Sequence, residues 1–547
     1  MKMALRTTVG IFLVLAVFSV LAVYQLDLPG LHNDEARESG LLAMQLANGL
    51  QVEAFRGIGI GPRQLPLMVQ DYIGAINVYL TAPAIALFGP GAISVRAISV
   101  LIGLASLVTT FGFVRSAGGP AAGLLAAALL AVQPSFLFWN RQGVLIASLT
   151  ITLVGGLLWS LSSWSRRGGV WLALGAGLMA GLGIYAKLLF VWIIAAVISA
   201  TLLINIPGLL RALSRRERFN IWPHRPSISE LSAAMGGFAA GILPMIVYNL
   251  RSGGTLFAVG KNLTTSFYGV SNLDFVANLI ARWDQFRAVI AGREHLWYLG
   301  GSAGNPLWEL ALAGAALIII GRAILGKPGS RAALVLLLTL AIGLLQTIFT
   351  VSGLFPTHLA IFSPLWAGTL AIAALQVSNF RFDAKHIGRF AAPVLMTIFL
   401  VSLTGRDIAV DAFYHRTLTA SGGLGVHSDA IYRLVDELER LGAKRVVAMD
   451  WGFAPQVQQL TNNQILPVEV FGYSWETDVD FTERIDPFIF QTDTLFVFHW
   501  PNETIFPRKA DFEALVAENE IPFEQISVVS RRDGAPVFEI VMVRTPD

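Results

Sequence analysis

The sequence predicts a polytopic α-helical membrane protein that carries a small α/β domain at its C-terminal end. Of its 547 residues, 54% are apolar and only 14% are charged, whereas a soluble domain carries about 25% charged residues. Apolar runs long enough to cross a bilayer as helices recur through residues 1–407. From residue 408 onward this pattern gives way to one amphipathic helix and several short β-like runs.

Composition also excludes several classes of function. The net charge of +3 is small for a chain of this size and argues against a nucleic acid as partner. The chain has no cysteine, which excludes disulfides, thiol chemistry and cysteine-ligated metals. Residues 7–26 lack a small-residue cleavage site, so they are expected to form a retained membrane helix rather than a cleaved signal.

The apolar runs predict eleven membrane spans. The run at 73–88 is short for a span and is interrupted by Asn77, Pro83 and Gly89, so it is expected to lie in the outer interface without crossing. The runs predicted to cross are 7–26, 93–114, 120–138, 144–164, 169–186, 188–208, 229–250, 306–325, 332–351, 358–378 and 390–407.

Basic residues set the orientation of these spans, because Lys and Arg concentrate in short loops on the cytoplasmic side. With 73–88 outside the bilayer, one set of loops carries nearly all the clustered basic residues: Lys2, Arg6, Arg115, Arg166, Arg167, Arg211, Arg215, Arg216, Arg218, Arg225, Arg322, Lys327, Arg331, Arg381, Lys385 and Arg389. If 73–88 crossed, every later loop would invert and the rule would fail. The sequence therefore predicts a plasma (inner) membrane protein with a cytoplasmic N-terminus and an extracytoplasmic C-terminal domain.

This topology leaves three sizeable outer regions, at 27–92, 251–305 and 408–547. Within the third, an apolar stripe predicts a helix, formed by Ile431, Leu434, Val435, Leu438 and Leu441. Short β-like runs follow at 445–450, 495–499, 525–530 and 537–543, with Asp533-Gly534 as a turn between the last two. We therefore divide the chain into a membrane module, 1–407, and an extracytoplasmic α/β domain, 408–547.

An acidic pair, Asp34-Glu35, follows the first span almost directly. Charges beside a membrane are costly to place, so such a pair is a candidate functional site. Asn and Asp also begin helices, and on position alone a helix start is an equally good interpretation.

The predicted topology brings further charged residues to the same face. Arg96, Arg141, Lys187 and His358 all lie at outer ends of spans. A carboxylate pair among several cations suits an anionic, lipid-linked substrate, since phosphate is bound bidentately by Arg and as a point charge by Lys. The alternative is that each basic side chain merely reaches for lipid headgroups. That alternative fits Lys187 least well, because almost no loop separates the two apolar runs around it.

The order of these motifs resembles the GT-C superfamily of membrane glycosyltransferases, in particular the protein O-mannosyltransferases and the aminoarabinose–lipid A transferases. The resemblance covers residues 8–200 well and 300–400 loosely. Its landmarks are the Asp34-Glu35 pair, a helix at 36–48 ended by Gly49, Leu87-Phe88-Gly89 followed by Arg96, Asn140-Arg141-x-Gly143, Leu182-Gly183 followed by Lys187, and Thr357-His358-Leu359 before Pro364.

Two departures from the family pattern stand out. Many members carry a further Asp shortly after the Arg that corresponds to Arg141, but the stretch 142–148 here has no acid. That puts a second catalytic or metal-binding carboxylate in doubt. His358 stands where the family usually has Arg, which would make phosphate binding there depend on histidine protonation.

The resemblance implies an enzyme that takes a sugar from a polyprenyl-phosphate donor in the outer leaflet. Asp34 would be the general base toward the acceptor hydroxyl, and Glu35 would assist it. A phosphate leaving group needs cationic stabilisation rather than a proton, which Arg141 and Lys187 could supply, and inversion is expected at the sugar carbon. The residues expected to bind substrate are Arg37, Asp71, Arg96, Arg141, Lys187 and His358.

The expected partners are membrane lipid, the lipid-linked sugar and an acceptor that is a protein, a glycolipid or a polysaccharide. No cofactor is required by the sequence, although a divalent metal between Asp34 and Asp71 is compatible with it. Two other functions stay open at this point: a transporter or flippase for lipid-linked sugars, and a non-catalytic subunit that binds polyprenyl phosphate. The sequence shows none of the internal repeats that are common in transporters.

Overall fold

The computed structural model describes residues 2–143, 147–215, 223–266, 269–350, 354–378, 388–474, 480–491 and 493–544. The inner-loop residues Arg216, Arg218, Arg381 and Lys385 lie outside these ranges, as do residues 144–146 after Arg141.

Eight helices in these ranges are long and apolar enough to cross a membrane. They are Lys2–Val23, Ala92–Gly118, Ala147–Arg167, Val191–Arg215, Ile228–Ser252, Leu307–Ile324, Ser363–Ser378, which continues from the 3-10 turn Pro356–Phe362, and Gly388–Ser421. Four shorter apolar helices accompany them: Ile76–Phe88, Pro120–Ala131, Val170–Ala186 and Ser330–Gln346. The polytopic helical fold predicted from the sequence is confirmed.

Each of the eleven predicted spans coincides with a helix, but three of these helices are short. Pro120–Ala131 has 12 residues, and Val170–Ala186 and Ser330–Gln346 have 17 each, against about 20 for a full crossing. The number of spans therefore stays a prediction. The run at 73–88 forms a helix of only 13 residues, Ile76–Phe88, with Pro83 inside it.

Glycines allow two of the membrane helices to pack backbone against backbone. Helix Val170–Ala186 lies along helix Ile228–Ser252. A Cβ atom added at Gly177 would lie 1.9 Å from the carbonyl oxygen of Ala234, and one added at Gly241 would lie 2.6 Å from the amide nitrogen of Leu182. Small residues at such contacts are common where helices associate in lipid, because the hydrophobic effect does not drive helix association there.

Before helix Ile76–Phe88, the first outer region contains one helix in three segments and two small hairpins. The helix comprises Asn33–Glu35, a π-helical turn Ala36–Gly40, and Leu41–Ala47. The hairpins pair strand β1 (Gly59–Ile60) with β2 (Leu65–Pro66), and β3 (Met68–Gln70) with β4 (Ile73–Gly74). In the second outer region the main helices are Gly254–Lys261 and Phe275–Ala291.

The C-terminal domain is a five-stranded sheet between helices, in the order β6-β5-β7-β9-β8. The strands are β5 (Arg445–Ala448), β6 (Leu466–Glu469), β7 (Thr494–His499), β8 (Phe523–Ser530) and β9 (Pro536–Val543). The helices are Ala430–Arg440, Ala454–Leu460, Phe481–Ile489 and Lys509–Glu518. β6, β5 and β7 are parallel, whereas β9 is antiparallel to both β7 and β8.

Most of this domain was predictable. The amphipathic helix is Ala430–Arg440 and buries Ile431, Leu434, Val435 and Leu438. All four predicted strands are present, and the predicted turn places Gly534 at a φ of 87°. β6 was missed because it is a short edge strand that contains Pro467, a residue that cannot donate to a sheet. The last membrane-module helix continues to Ser421, past the predicted division at 407/408, and that division stays a prediction.

Candidate active site

Asp34 lies in the first turn of the helix that follows the first span. His32 caps this helix, because its Nδ1 accepts the backbone N–H of Asp34 at 3.1 Å. The positive end of the helix favours a carboxylate at this position. The Asp34 side chain is 26% exposed, and its described contacts are long: 3.5 Å to Asn33 Nδ2 and 3.8 Å to His32 Nδ1. Its carboxylate is therefore available to a ligand.

Glu35 has the opposite surroundings, since its side chain is fully buried and bound on all sides. Its two oxygens pair with Arg96, with Nε at 2.9 Å and Nη2 at 2.7 Å. They also accept the backbone N–H groups of His32 at 2.9 Å and Gly143 at 2.7 Å. Burial alone would raise the pKa of Glu35, but the charge and hydrogen bonds of Arg96 outweigh it and hold the pKa below its ordinary value. Glu35 is thus an ionised anchor.

Arg96 completes this anchor. Besides Glu35, its guanidinium donates to the backbone carbonyls of Leu26, Pro29 and Gly30 at 2.7–3.0 Å. A guanidinium has five N–H donors, and each of the five has an acceptor here. These contacts fix the chain between the first span and the Asp34 helix, and they leave Arg96 without a donor for phosphate.

Arg141 also contacts backbone carbonyls, although its Nη1 is buried without a hydrogen-bond partner among the described residues. It donates to the carbonyls of Ala22 at 3.2 Å, and of Tyr24 and Gln25 at 2.5 Å, at the C-terminal end of the first helix. A cation there satisfies free carbonyls and the helix dipole. Its side chain is 1% exposed and lies over the ring of Phe138. These contacts indicate that Arg141 positions the first span.

Asp71 also has protein partners. Its carboxylate accepts the hydroxyl of Tyr248 at 2.7 Å and pairs with Arg56, and its backbone carbonyl accepts the hydroxyl of Thr255 at 2.6 Å. Asp71 thereby ties the first outer region to the second. Within the part of the chain that the structure describes, no group of three or more His, Cys, Asp or Glu is placed to hold a metal ion.

Lys187 is brought to Asp34 by the first outer region. It lies between helices Val170–Ala186 and Val191–Arg215, where Ile73 forms a β-bridge with it and Leu188 N–H donates to Tyr72 at 3.0 Å. Lys187 is only 4% exposed, and it lies within electrostatic range of both Asp34 and Glu38. Among the described residues its amino group has no hydrogen-bond acceptor, so it can take an anion.

Lys187 and His358 line one cavity of about 280 Å³. His358 lies in the 3-10 turn Pro356–Phe362, with Nδ1 3.2 Å from the carbonyl oxygen of Phe355. The remaining lining is mainly apolar: Tyr72, Leu188, Leu189, Val191, Trp192, Val259, Phe349, Thr350 and Leu354. A cavity with one cationic end and apolar walls suits an amphipathic anion.

Glu38 belongs to this site but was not among the predicted site residues. It is 3% exposed, and Gln70 Nε2 donates to one of its oxygens at 2.7 Å. The signal in the sequence was its spacing, since residues four apart share a helix face and Glu38 follows Asp34 by four. Burial and the nearby charge of Asp34 raise the pKa of Glu38 to about 8.

Arg37 connects the site to the C-terminal domain. Its side chain is exposed, and its Nη1 donates to the hydroxyl of Tyr473 at 3.1 Å. Tyr473 in turn lies 3.4 Å from a carboxylate oxygen of Glu469. Arg37 therefore lies at the rim of the site rather than inside it.

All three predicted outer regions meet beside Asp34. The ring of His427 from the C-terminal domain stacks on His32 on one side and on Tyr298 on the other, with centroids 4.1 Å apart in both pairs. The carbonyl of His427 also accepts the N–H of Gly30 at 2.8 Å. The site is therefore enclosed by residues that are distant in sequence.

Comparison with known proteins identifies the fold. Residues 76–214 match the family model of dolichyl-phosphate-mannose-protein mannosyltransferases. ArnT from Cupriavidus metallidurans, bound to undecaprenyl phosphate, is similar over 97% of this chain and 97% of its own, with a TM-score of 0.59 and 13% identity. The Archaeoglobus fulgidus oligosaccharyltransferase AglB, in complex with an inhibitory peptide and a dolichol-phosphate, is similar over 90% of this chain and 69% of its own, with a TM-score of 0.51 and 13% identity.

No curated protein sequence matches the chain. At 13% identity the structural likeness to ArnT and AglB concerns the fold, and it confirms the GT-C resemblance at that level.

Proposed function

We propose that this protein transfers a sugar from a polyprenyl-phosphate-linked donor to an acceptor hydroxyl on the outer face of the membrane, with inversion at the sugar carbon. One observation carries the proposal. The available carboxylate of Asp34 lies within electrostatic range of buried Lys187, and Lys187 lines a largely apolar cavity with His358. An available carboxylate, a buried cation and a largely apolar cavity near one another support the proposal.

The cavity supports the donor class. Apolar side chains such as Leu188, Trp192 and Leu354 would contact the polyprenyl chain, while Lys187 and His358 would face its phosphate. Lys binds phosphate as a compact point charge. Undecaprenyl phosphate in ArnT and dolichol-phosphate in AglB are ligands of the same chemical class in proteins of the same fold.

The chemistry then needs one carboxylate. Asp34 accepts the proton of the acceptor hydroxyl while that oxygen attacks the anomeric carbon. The bond between that carbon and the phosphate oxygen breaks, and the bonding electrons leave with the phosphate. Lys187 stabilises the resulting negative charge. Because the phosphate is a stable anion, no general acid is required, and a single displacement inverts the sugar carbon.

The other predicted residues divide into two groups in this proposal. Glu35, Arg96, Arg141 and Asp71 hold the outer region in place through protein contacts. Arg37 lies at the rim beside the C-terminal domain, where an acceptor would approach. That acceptor is a protein, a glycolipid or a polysaccharide at the outer surface.

A release assay tests this function. Purified protein is reconstituted with polyprenyl-phosphate-linked hexoses and pentoses, together with a hydroxyl-containing peptide, a glycolipid and an oligosaccharide. We expect polyprenyl phosphate to be released in an amount equal to the sugar transferred. Movement of the lipid-linked sugar across the bilayer without release would instead indicate a transporter, and binding without either outcome would indicate a non-catalytic subunit.

A further inference from the structure

Glu38 carries a buried oxygen atom without a described hydrogen-bond partner, within electrostatic range of Asp34 and Lys187. Its Oε1 accepts a hydrogen bond from Gln70, whereas its Oε2 is buried and has no hydrogen-bond partner among the described residues. A buried polar atom without a partner costs free energy, and each such atom in a native protein calls for an explanation. A ligand that bonds to Oε2 would provide one.

The backbone around Glu38 departs from a regular α-helix. Residues Ala36–Gly40 form a π-helical turn, in which the N–H of Leu41 donates to the carbonyl of Ala36. Single π-helical turns inside helices occur frequently at functional sites. From this turn, Glu38 lies within electrostatic range of Asp34 on its own helix and of Lys187 across the site.

The charges around Glu38 determine whether its neutral or its ionised form is compatible with a bound phosphate. Asp34 and Arg37 face it from its own helix and Lys187 from the opposite element, while Glu35 is neutralised by Arg96. Arg37 is exposed and bonded to Tyr473.

The remaining elements packed against the π-helical turn add no charge. Leu41–Ala47, Ile76–Phe88 and Ala454–Leu460 contain no charged residue. Tyr79, the titratable group among them, donates its hydroxyl to the carbonyl of Pro66 at 2.6 Å. Lys187 is the one buried cation among these groups, and a phosphate beside it is held more favourably when one of the two carboxylates, Asp34 or Glu38, is neutral.

We propose that Glu38, as a neutral carboxylic acid, donates a hydrogen bond from Oε2 to a phosphate oxygen of the lipid-linked donor beside Lys187. This role rests on the proposed function and specifies how its donor is held. The raised pKa of about 8 keeps most Glu38 neutral at pH 7. As the pH rises through this pKa, the carboxyl group loses the proton that it would donate, and the resulting carboxylate repels phosphate. The affinity for polyprenyl phosphate should therefore fall.

Equilibrium binding of polyprenyl phosphate to the full-length protein in nanodiscs, at pH 7 and pH 9, tests this role. The variants are Glu38→Gln, which keeps a donor without a titrating group, and Glu38→Leu, which keeps only the approximate volume. Glu53→Gln, an exposed change in the same outer region, is the matched control. Thermal unfolding midpoints verify that each variant is folded.

At pH 7 we expect Glu38→Gln to bind like the wild type and Glu38→Leu to bind about tenfold more weakly, as for one lost hydrogen bond to a charged group. The second measurement is the ratio of wild-type affinity to Glu38→Gln affinity. At pH 9, one unit above the pKa of Glu38, this ratio should be about tenfold lower than at pH 7. Lys187 is present in all these proteins, so the ratio at each pH isolates the contribution of Glu38.

Equal affinity of Glu38→Gln and Glu38→Leu at pH 7 would overturn the role of Glu38 while leaving the proposed function intact. If Glu38→Leu does not fold, an unchanged ratio of wild type to Glu38→Gln between pH 7 and pH 9 would overturn it equally. A wild-type protein that binds no polyprenyl phosphate at either pH would overturn both proposals.

Discussion

Asp34 and Glu35 are adjacent in sequence but face different surroundings. A helix turns by about 100° per residue, so one carboxylate of the pair points into the site while the other points into the protein. Glu35 is fully buried against Arg96, whereas Asp34 stays partly exposed. Glu35 belongs to the capping box at the start of this helix, whereas the assignment of the partly exposed Asp34 as the base stays a proposal.

The ion pair between Glu35 and Arg96 gives a prediction about stability. Replacing Arg96 by Met leaves an unpaired carboxylate buried, which should cost about 3–5 kcal/mol. We expect a clear drop in the thermal unfolding midpoint of purified Arg96→Met. The double variant Glu35→Met/Arg96→Met should recover part of the loss, because it removes both buried charges. A folded Arg96→Met with a normal midpoint but no binding of polyprenyl phosphate would instead assign Arg96 to the substrate.

Lys187 gives a prediction about donor binding. Lys187→Met keeps the length of the side chain and removes its charge, so we expect affinity for polyprenyl phosphate to fall at least tenfold while the fold is retained. Lys261→Met, at an exposed lysine at the end of helix Gly254–Lys261, is the matched control and should bind normally. Unchanged binding by Lys187→Met would show that the phosphate lies elsewhere.

Residue roles were only partly readable from the sequence. The burial of Lys187 was predictable, because almost no loop separates the two apolar runs around it. Its role toward phosphate stays a proposal. The sequence did not reveal that every N–H donor of Arg96 has a protein acceptor. The carbonyl acceptors at Leu26, Pro29 and Gly30 belong to a segment more than 60 residues away. Glu38 had the right spacing from Asp34, but spacing does not reveal burial.

At the scale of elements, the segment before the Asp34 helix is held against the C-terminal domain. A Cβ atom added at Gly30 would lie 2.0 Å from the carbonyl oxygen of Ser428, a backbone atom that cannot rotate away. The helix itself contacts Ala454–Leu460, where Gln459 Nε2 donates to the carbonyl of Pro90 at 2.8 Å. The position of Asp34 therefore depends on the docking of the C-terminal domain.

We expect Gly30→Ala to displace the C-terminal domain. The variant should unfold at a lower temperature, release the domain more readily under limited proteolysis, and lose transfer activity. Gly405→Ala is the control, since its added methyl group meets no atom within 4 Å. Wild-type stability and protease resistance in Gly30→Ala would show that this contact does not hold the domain.

Elements were predicted well where one local pattern dominated. Apolar runs located the membrane helices, and short β-like runs located four of the strands. Two elements departed from the prediction for physical reasons. Strand β6 contains Pro467 at a sheet edge, and helix Val170–Ala186 is shorter than a full membrane crossing. The close packing of helix Val170–Ala186 against helix Ile228–Ser252 depends on glycines on both helices. The sequence alone does not show that these glycines face each other.

At the scale of the whole molecule, the predicted orientation can be measured directly because the chain contains no cysteine. A single cysteine in place of exposed Glu513, in the C-terminal domain, should react with a membrane-impermeant maleimide added outside intact cells. One in place of Lys327, in a loop predicted to be cytoplasmic, should react only after permeabilisation. The reverse pattern would contradict the predicted topology.

The assembly of the site is the feature that the sequence could not supply. Charge distribution predicted that three outer regions share one membrane face. It did not predict that His32, Tyr298 and His427 stack in a row beside Asp34, because these contacts join residues separated by more than 100 positions. The fold brings the regions together, and Asp34 and Lys187 come within electrostatic range of each other as a result.

The most direct test of the account is the rate of polyprenyl phosphate release by Asp34→Asn. Asn keeps the shape of the side chain but cannot accept the acceptor proton, so we expect release to fall by at least a hundredfold with normal expression and normal binding of polyprenyl phosphate. Asp27→Asn, an exposed change in the same outer region, should release at the wild-type rate. Near-wild-type release by Asp34→Asn would contradict the assignment of Asp34 as the catalytic base.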